Sequence, residues 1–116
     1  MLPTPHTVVE SAAYLSKAVR LMDEDERSEV VTMLAENPKV GKVIKGTGGL
    51  RKVRIALGGR GKRGGGRVIY WFHSEDYPAV LLWVFAKNEA DDLTPAQRDM
   101  LVRTAQELLD EFRRPA

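Results

Sequence analysis

The sequence contains no cysteine and only two histidines, His6 and His73. Without a thiol there is no disulfide, no cysteine nucleophile and no cysteine-ligated zinc site, because each of these needs a cysteine sulfur. Two histidines, one near the N-terminus and one at the end of a predicted strand, are too few for a metal cluster. We therefore expect chemistry that uses neither a metal ion nor another cofactor.

Long apolar runs are also absent. None approaches the length of about 18 residues that spans a bilayer, and Met1–Glu10 lacks the charged and then apolar regions of a secretory signal. We expect a cytoplasmic protein without a membrane partner. The length of 116 residues, with 43% apolar and 29% charged residues, is typical of one folded domain, which we expect to cover residues 1–116.

Acidic residues are missing from the middle of the chain. The segment from Pro38 to Ser74 contains ten basic residues and no Asp or Glu, whereas acids are plentiful on both sides of it. The ten are Lys39, Lys42, Lys45, Arg51, Lys52, Arg54, Arg60, Lys62, Arg63 and Arg67. A solvated surface is one interpretation, but the length of the segment favours a polyanionic partner such as a nucleic acid.

Capping residues and hydrophobic spacing predict three helices. Ser11, Asp23 and Thr94 stand at expected N-caps, and Asn37-Pro38 ends the second helix. The first helix is predicted to bury residues at helical spacing: Leu15, Ala18, Val19 and Met22. The second is predicted to bury Val30, Val31 and Leu34, and the third Leu101, Ala105, Leu108 and Phe112.

Four strands are predicted from alternation and from runs of β-branched and aromatic residues. They are residues 7–10, 50–57, 67–73 and 79–86. The last two are apolar throughout and read as a central antiparallel pair. The resulting order, β-α-α-β-β-β-α, predicts an α+β fold with a curved antiparallel sheet and helices packed on one face.

Strand parity within Leu50–Leu57 separates an apolar face from a cationic one. Val53 and Ile55 share one face, and Lys52 and Arg54 share the other. Arg67 opens the next strand and Lys87 follows the last, so that cations of adjoining strands are expected to meet. Such a patch is suited to holding a scissile phosphate, because Arg and Lys neutralise the charge that develops during cleavage. Binding without cleavage is the alternative.

The segment Gly58–Gly66 has six glycines and three basic residues in nine positions. Its GxGxxG pattern is followed by a strand, and Arg63 replaces the Ser or Thr of a P-loop, so neither nucleotide-binding motif applies. We predict a flexible hairpin loop that lies along phosphates, with a simple long loop as the alternative. Tyr70 is a candidate for base stacking, and Asp91 and Asp92 are interpreted as capping or solvated acids at a helix start.

Three stretches, residues 46–54, 64–72 and 81–97, together resemble the RelE/HigB toxins of bacterial type II toxin-antitoxin systems, in particular the HigB-like branch. The similarity extends from about Val8 to Leu109. It implies a RelE-like fold and a metal-independent endoribonuclease that cuts mRNA in the ribosomal A site. It also implies contacts with ribosomal RNA and a cognate antitoxin, expected to carry a helix-turn-helix domain.

The resemblance assigns roles to individual residues. The catalytic set that it implies is Lys52, Arg54, Arg67 and Lys87. The expected RNA-binding set is Arg51, Arg60, Lys62, Arg63, Tyr70 and Asn88. The chain departs from RelE in having Asn88 where an arginine follows the lysine, and in lacking a tyrosine after Tyr77. The alternative function is a non-catalytic toxin like the related ParE proteins, or an RNA-binding protein that blocks its target without cleavage.

Overall fold

The structure, a computed structural model, describes residues 4–58, 65–89 and 92–115. Within these ranges the elements are β1 (Val8–Glu10), α1 (Ala12–Leu21), α2 (Glu24–Glu36), β2 (Lys42–Val43), β3 (Leu50–Ile55), β4 (Gly66–Trp71), β5 (Ala79–Ala86) and α3 (Pro95–Arg113). No helix of the described part is both long and apolar enough to cross a bilayer.

The three helices begin where the capping residues predict. The Ser11 side chain accepts a hydrogen bond from the Tyr14 N–H at the start of α1. Asp23 and Glu26 form a reciprocal capping box at α2, and Thr94 and Gln97 form another at α3, with Pro95 in its first turn. These bonds satisfy backbone N–H groups that a helix start leaves without partners, so the helix starts are fixed by local chemistry.

The five strands of the described part form one mixed sheet in the order β1-β5-β4-β3-β2. The pairs from β2 to β5 are antiparallel, whereas β1 pairs with β5 in parallel. The predicted α+β class is therefore confirmed, but the purely antiparallel sheet is wrong at β1. The additional strand β2 has only two residues, which is too short for side-chain alternation to reveal it.

Helices cover both faces of this sheet, which corrects the prediction of helices on one face. Val68 and Tyr70 of β4 lie in a core with α1 and α2. Ile69 and Trp71, which point to the opposite side, lie in a second core with α3. Strands that are apolar at nearly every position need cover on both faces, and this demand outweighs the simpler one-sided arrangement.

A bulge in β5 keeps both cores filled. Ile69 pairs with Trp83 and Tyr70 pairs with Leu81, so Leu82 is an extra residue in the ladder. Because of it, Leu82 and Phe85 both face the α3 core although they are three residues apart.

The buried side of α1 differs from the predicted one. Tyr14, Ala18 and Met22, spaced four residues apart, are buried against the sheet. Leu15 and Val19, which were expected inside, are exposed. The prediction omitted Tyr14, whose large ring directs the helix toward the core and turns its neighbours outward.

Candidate nucleic-acid interface

Four cations lie on one face of the sheet. Arg54 is the direct cross-strand partner of Arg67, and Lys52 lies between Lys42 on one side and Ile69 on the other. Direct partners in an antiparallel ladder share a face, so Lys42, Lys52, Arg54 and Arg67 all point to the side that carries Ile69 and α3. The structure thus brings together three of the four predicted catalytic residues.

These side chains line a cleft with a volume of about 480 Å³. Its wall consists of Val40, Lys42, Lys52, Val53, Arg54 and Arg67. Every charged group in this lining is a cation, and the floor is rigid β-sheet. A cleft of this kind suits an anionic, phosphate-bearing ligand that is held by several cations at once.

The cleft has an electrostatic cost in the free protein. Like charges that face each other directly across an antiparallel ladder destabilise it, and this sheet has two such pairs side by side, Lys42 with Lys52 and Arg54 with Arg67. Each pair raises the free energy of the folded state by a few tenths to roughly 1 kcal/mol. An anion bound between the pairs removes this repulsion, so the arrangement favours ligand binding over stability.

Asp92, just before α3, reaches the edge of the cleft. Its Oδ2 lies 3.4 Å from the Lys52 Nζ, and its Oδ1 accepts a hydrogen bond of 2.8 Å from the Leu93 N–H. The Leu93 N–H, together with the charges of Lys52 and Arg67, holds the pKa of the Asp92 carboxyl below its usual value despite partial burial. Asp92 is therefore ionised at neutral pH and faces the cations.

Two residues that were expected to bind RNA, Arg51 and Tyr70, form hydrogen bonds to the segment that contributes Val40 to the cleft wall. The Tyr70 ring is 0% exposed, so no part of it is available for a base to stack on. Its hydroxyl donates to the Pro38 carbonyl and accepts from the Gly41 N–H, both at 2.8 Å. Arg51, on the same side of the sheet as Tyr70, donates to the Gly41 carbonyl at 2.8 Å. These bonds position Val40 at the cleft.

Removing the Tyr70 hydroxyl is expected to destabilise the protein. Tyr70→Phe leaves the Gly41 N–H and the Pro38 carbonyl without their buried partner, at a cost of about 1 to 3 kcal/mol. Urea unfolding monitored by tryptophan fluorescence measures this change. Tyr77→Phe is the matched control, since the Tyr77 hydroxyl makes no hydrogen bond to another described residue; an equal loss in both variants would refute the assignment.

The other residues that were predicted to act on RNA either do not line the cleft or lie outside the described residues. Lys87 and Asn88 are exposed in the turn after β5, and the Lys87 N–H donates to the Gly65 carbonyl. Neither lines the cleft, although Gly65 lies only two residues before Arg67. Arg60, Lys62 and Arg63 fall outside the described residues, and so does most of the predicted glycine loop.

Two members of the site were not expected from the sequence. Lys42 was counted in the basic segment, but its position depends on β2, which is too short to predict. Asp92 was interpreted as a helix-start residue, and it does bond to the Leu93 N–H. The contact of Asp92 with Lys52 joins residues forty positions apart, so no local pattern in the sequence indicates it.

Groups that could hold a metal ion are not found in the described ranges, where no three His, Asp or Glu side chains come together. Among the described residues, the chemistry available at the cleft is that of ammonium and guanidinium groups, the Asp92 carboxylate and the backbone. Cations can bind a phosphate and neutralise developing negative charge, and a carboxylate can accept a proton.

Comparison with known families gives one match that covers most of the chain. The matching family is described as the RelE toxin of the RelE/RelB toxin-antitoxin system, and the match extends over residues 15–114. This range includes α2, the strands β2 to β5 and all of α3. It therefore contains every residue that lines the cationic cleft.

Proposed function

The chain belongs to the RelE toxin family of toxin-antitoxin systems, and from this premise we propose that it is a ribosome-dependent mRNA endoribonuclease that inhibits translation without a metal ion. The observation that carries the proposal is the cleft in which Lys42, Lys52, Arg54 and Arg67 converge on one rigid face of the sheet. Non-specific binding of a polyanion requires only positive charge. The cleft does more, because it holds several cations around one small volume, as the cleavage of a single phosphodiester requires.

The proposed reaction is a transesterification within the RNA. The scissile phosphate binds between the cations, the neighbouring 2′-oxygen attacks phosphorus, and the 5′-oxygen of the next nucleotide leaves. Arg54 and Arg67 stabilise the additional negative charge of the pentacoordinate transition state, which is where electrostatic catalysis has its largest effect. Lys52 orients the phosphate, and Lys87 has a supporting role from the neighbouring turn.

The partners that fit this function are mRNA in the ribosomal A site, ribosomal RNA and a cognate antitoxin. The cationic face supports contact with both RNAs through their phosphates. An antitoxin that covers this face, or that distorts the fold, would silence the enzyme. We propose that it carries a helix-turn-helix domain and that the chain belongs to the HigB-like branch.

Induced expression followed by primer extension on a reporter mRNA tests the proposal. Growth arrest is expected together with discrete cuts within the translated region. The same mRNA with its start codon removed is the control, and it is expected to remain intact. Cuts in both mRNAs would refute ribosome dependence.

Growth arrest without any cut would refute the nuclease function itself. The observation would then favour a toxin that blocks a macromolecule by binding, as proposed for the ParE-like alternative. Fold does not separate these two functions, since the same scaffold can carry either.

Salt dependence measures how many cations contact the RNA. For single-stranded RNA the logarithm of the binding constant falls with the logarithm of salt concentration with a slope of about −0.7 per neutralised phosphate. If each of the four cations of the cleft neutralises one phosphate, the scissile phosphate or one of its neighbours along the strand, the slope is about −3. Fluorescence anisotropy with a short RNA at several salt concentrations checks this value, and a slope near zero would contradict phosphate binding at the cleft.

A further inference from the structure

Asp92 places a carboxylate against a cleft whose charged lining residues, in the described part of the chain, are all cations. Its Oδ2 is 3.4 Å from the Lys52 Nζ, while the Leu93 N–H holds Oδ1. Within the described residues it is the only acid that pairs with any of the three catalytic candidates on β3 and β4. The Asp92 side chain is 61% exposed, so its oxygens remain open to a substrate.

Such a carboxylate is unfavourable for the binding of RNA. Its negative charge repels the phosphate that the cations attract, and at neutral pH it is fully ionised because the Leu93 N–H, Lys52 and Arg67 lower its pKa. Nor does it contribute much to stability, since an exposed ion pair is worth only about 0.2 to 1 kcal/mol. A chemical role accounts for its position better than binding or stability does.

The reaction needs a group that accepts a proton. The 2′-hydroxyl must lose its proton as it attacks phosphorus. A guanidinium cannot take it because it stays protonated at any physiological pH, and the ammonium groups of Lys42 and Lys52 are donors without an acceptor lone pair. An ionised carboxylate has free lone pairs and acts as a general base in proton transfer. Asp92 supplies this group at the edge of the phosphate-binding cleft.

We infer that Asp92 is the general base of RNA cleavage in this protein, an inference that rests on the proposed ribonuclease function. Asp92 takes the proton of the 2′-hydroxyl while the bond between the 2′-oxygen and phosphorus forms and the bond between phosphorus and the 5′-oxygen breaks. The 5′-oxygen takes a proton from water, and Asp92 later returns its proton to water. The products are a 2′,3′-cyclic phosphate and a 5′-hydroxyl, and no other reactant is consumed.

Asp92→Asn tests the inference, because asparagine keeps the acceptor for the Leu93 N–H but cannot take a proton. Single-turnover cleavage is measured with saturating protein on ribosomes programmed with mRNA. Loss of a general base is expected to slow this step by about 100-fold or more. Binding is measured separately with an mRNA whose A-site codon is 2′-deoxy, and it is expected to be as tight as for the wild type or tighter, since a negative charge has been removed.

The dependence of the cleavage rate on pH distinguishes a base from a residue that merely positions Lys52. Between about pH 6 and pH 8.5 the wild-type rate is expected to be flat, since the carboxylate is already ionised. The Asp92→Asn rate is expected to rise about tenfold per pH unit, because hydroxide then replaces the missing base. A slowed variant with a flat profile would overturn the base role.

Asp110→Asn, in an exposed position on α3, is the control for the change in net charge and is expected to cleave at the wild-type rate. If the wild type cleaves and Asp92→Asn cleaves equally fast, the inference about Asp92 fails and the proposed function stands. If the wild type itself leaves ribosome-bound mRNA intact, the proposed function fails. Loss of RNA binding in Asp92→Asn would also overturn the inference, because a base is not required for binding.

Discussion

Replacing both Lys52 and Arg54 with glutamine is expected to reduce RNA cleavage by at least about 100-fold, the usual cost of removing charge stabilisation from a transition state. The two residues occupy alternate positions of β3 and present their charges to the same cleft. Glutamine keeps most of the side-chain length and its polarity, so the change isolates the charge. Primer extension and single-turnover cleavage of ribosome-bound mRNA measure the effect.

The same double variant is expected to be as stable as the wild type or more stable. Each substitution removes one of two like-charge pairs, Lys42 with Lys52 and Arg54 with Arg67, which is worth roughly 0.2 to 1 kcal/mol per pair. The loss of the exposed pair between Lys52 and Asp92 offsets part of this gain. Thermal unfolding measures the difference.

Arg103→Gln is the matched control for this variant, because Arg103 is an exposed cation of α3 that does not line the cleft. It is expected to change neither cleavage nor stability. A double variant that lost activity and was also strongly destabilised would contradict the prediction, since the loss of cleavage would then reflect unfolding. Activity close to that of the wild type would show that the cleft is not the catalytic site.

The elements of the fold that are set by local chemistry are the ones that the sequence predicts. Helix caps at Ser11, Asp23 and Thr94 depend on residues three positions apart, and all three are confirmed. The parallel pairing of β1 with β5 joins residues about seventy positions apart, such as Val8 with Ala79, and no local pattern specifies it. The second helical layer likewise depends on tertiary packing of α3.

The candidate site also combines features that a local pattern predicts with features that depend on the tertiary structure. Alternation along β3 places Lys52 and Arg54 on one face, and Arg67 joins them through the register of β4. The sequence alone does not separate these cations from Arg51, whose side chain turns to the opposite side and bonds to the Gly41 carbonyl. Tyr70 is a second example of a role that the sequence does not decide. A tyrosine in a strand can stack on an RNA base or can be buried with its hydroxyl bonded to the backbone, and only the packing shows that Tyr70 is buried and bonds to the Pro38 carbonyl.

The end of β4 that is remote from Arg67 is important for stability, because it packs against α3. Trp71 ends β4, is fully buried, and stacks on Phe112 of α3 with 5.9 Å between ring centroids and 8° between ring planes. Tyr77 adds a second stacked ring at 6.4 Å from Trp71. This aromatic cluster of Trp71, Tyr77 and Phe112 fastens α3 to the sheet.

Trp71→Ala is therefore expected to destabilise the protein by about 3 to 5 kcal/mol, the cost of removing a large buried ring. Since a chain of this length has a total stability of roughly 6 to 17 kcal/mol, the melting temperature is expected to fall by roughly 10 °C or more. Phe112→Ala, which truncates a ring that is already 37% exposed, is expected to cost only about 1 to 2 kcal/mol. An equal loss of stability in Trp71→Ala and Phe112→Ala would mean that the Trp71 ring stabilises the protein through its contact with α3 and not through its burial against the sheet.

Activity of Trp71→Ala separates stability from catalysis. Trp71 and Arg67 lie four residues apart on β4, which is about 13 Å along an extended strand, so the cleft is not expected to change directly. At a temperature where the variant remains folded, its cleavage rate per folded molecule is expected to equal that of the wild type. A lower rate in the fully folded variant would show that α3 controls the cleft, through the position of Asp92 at its start.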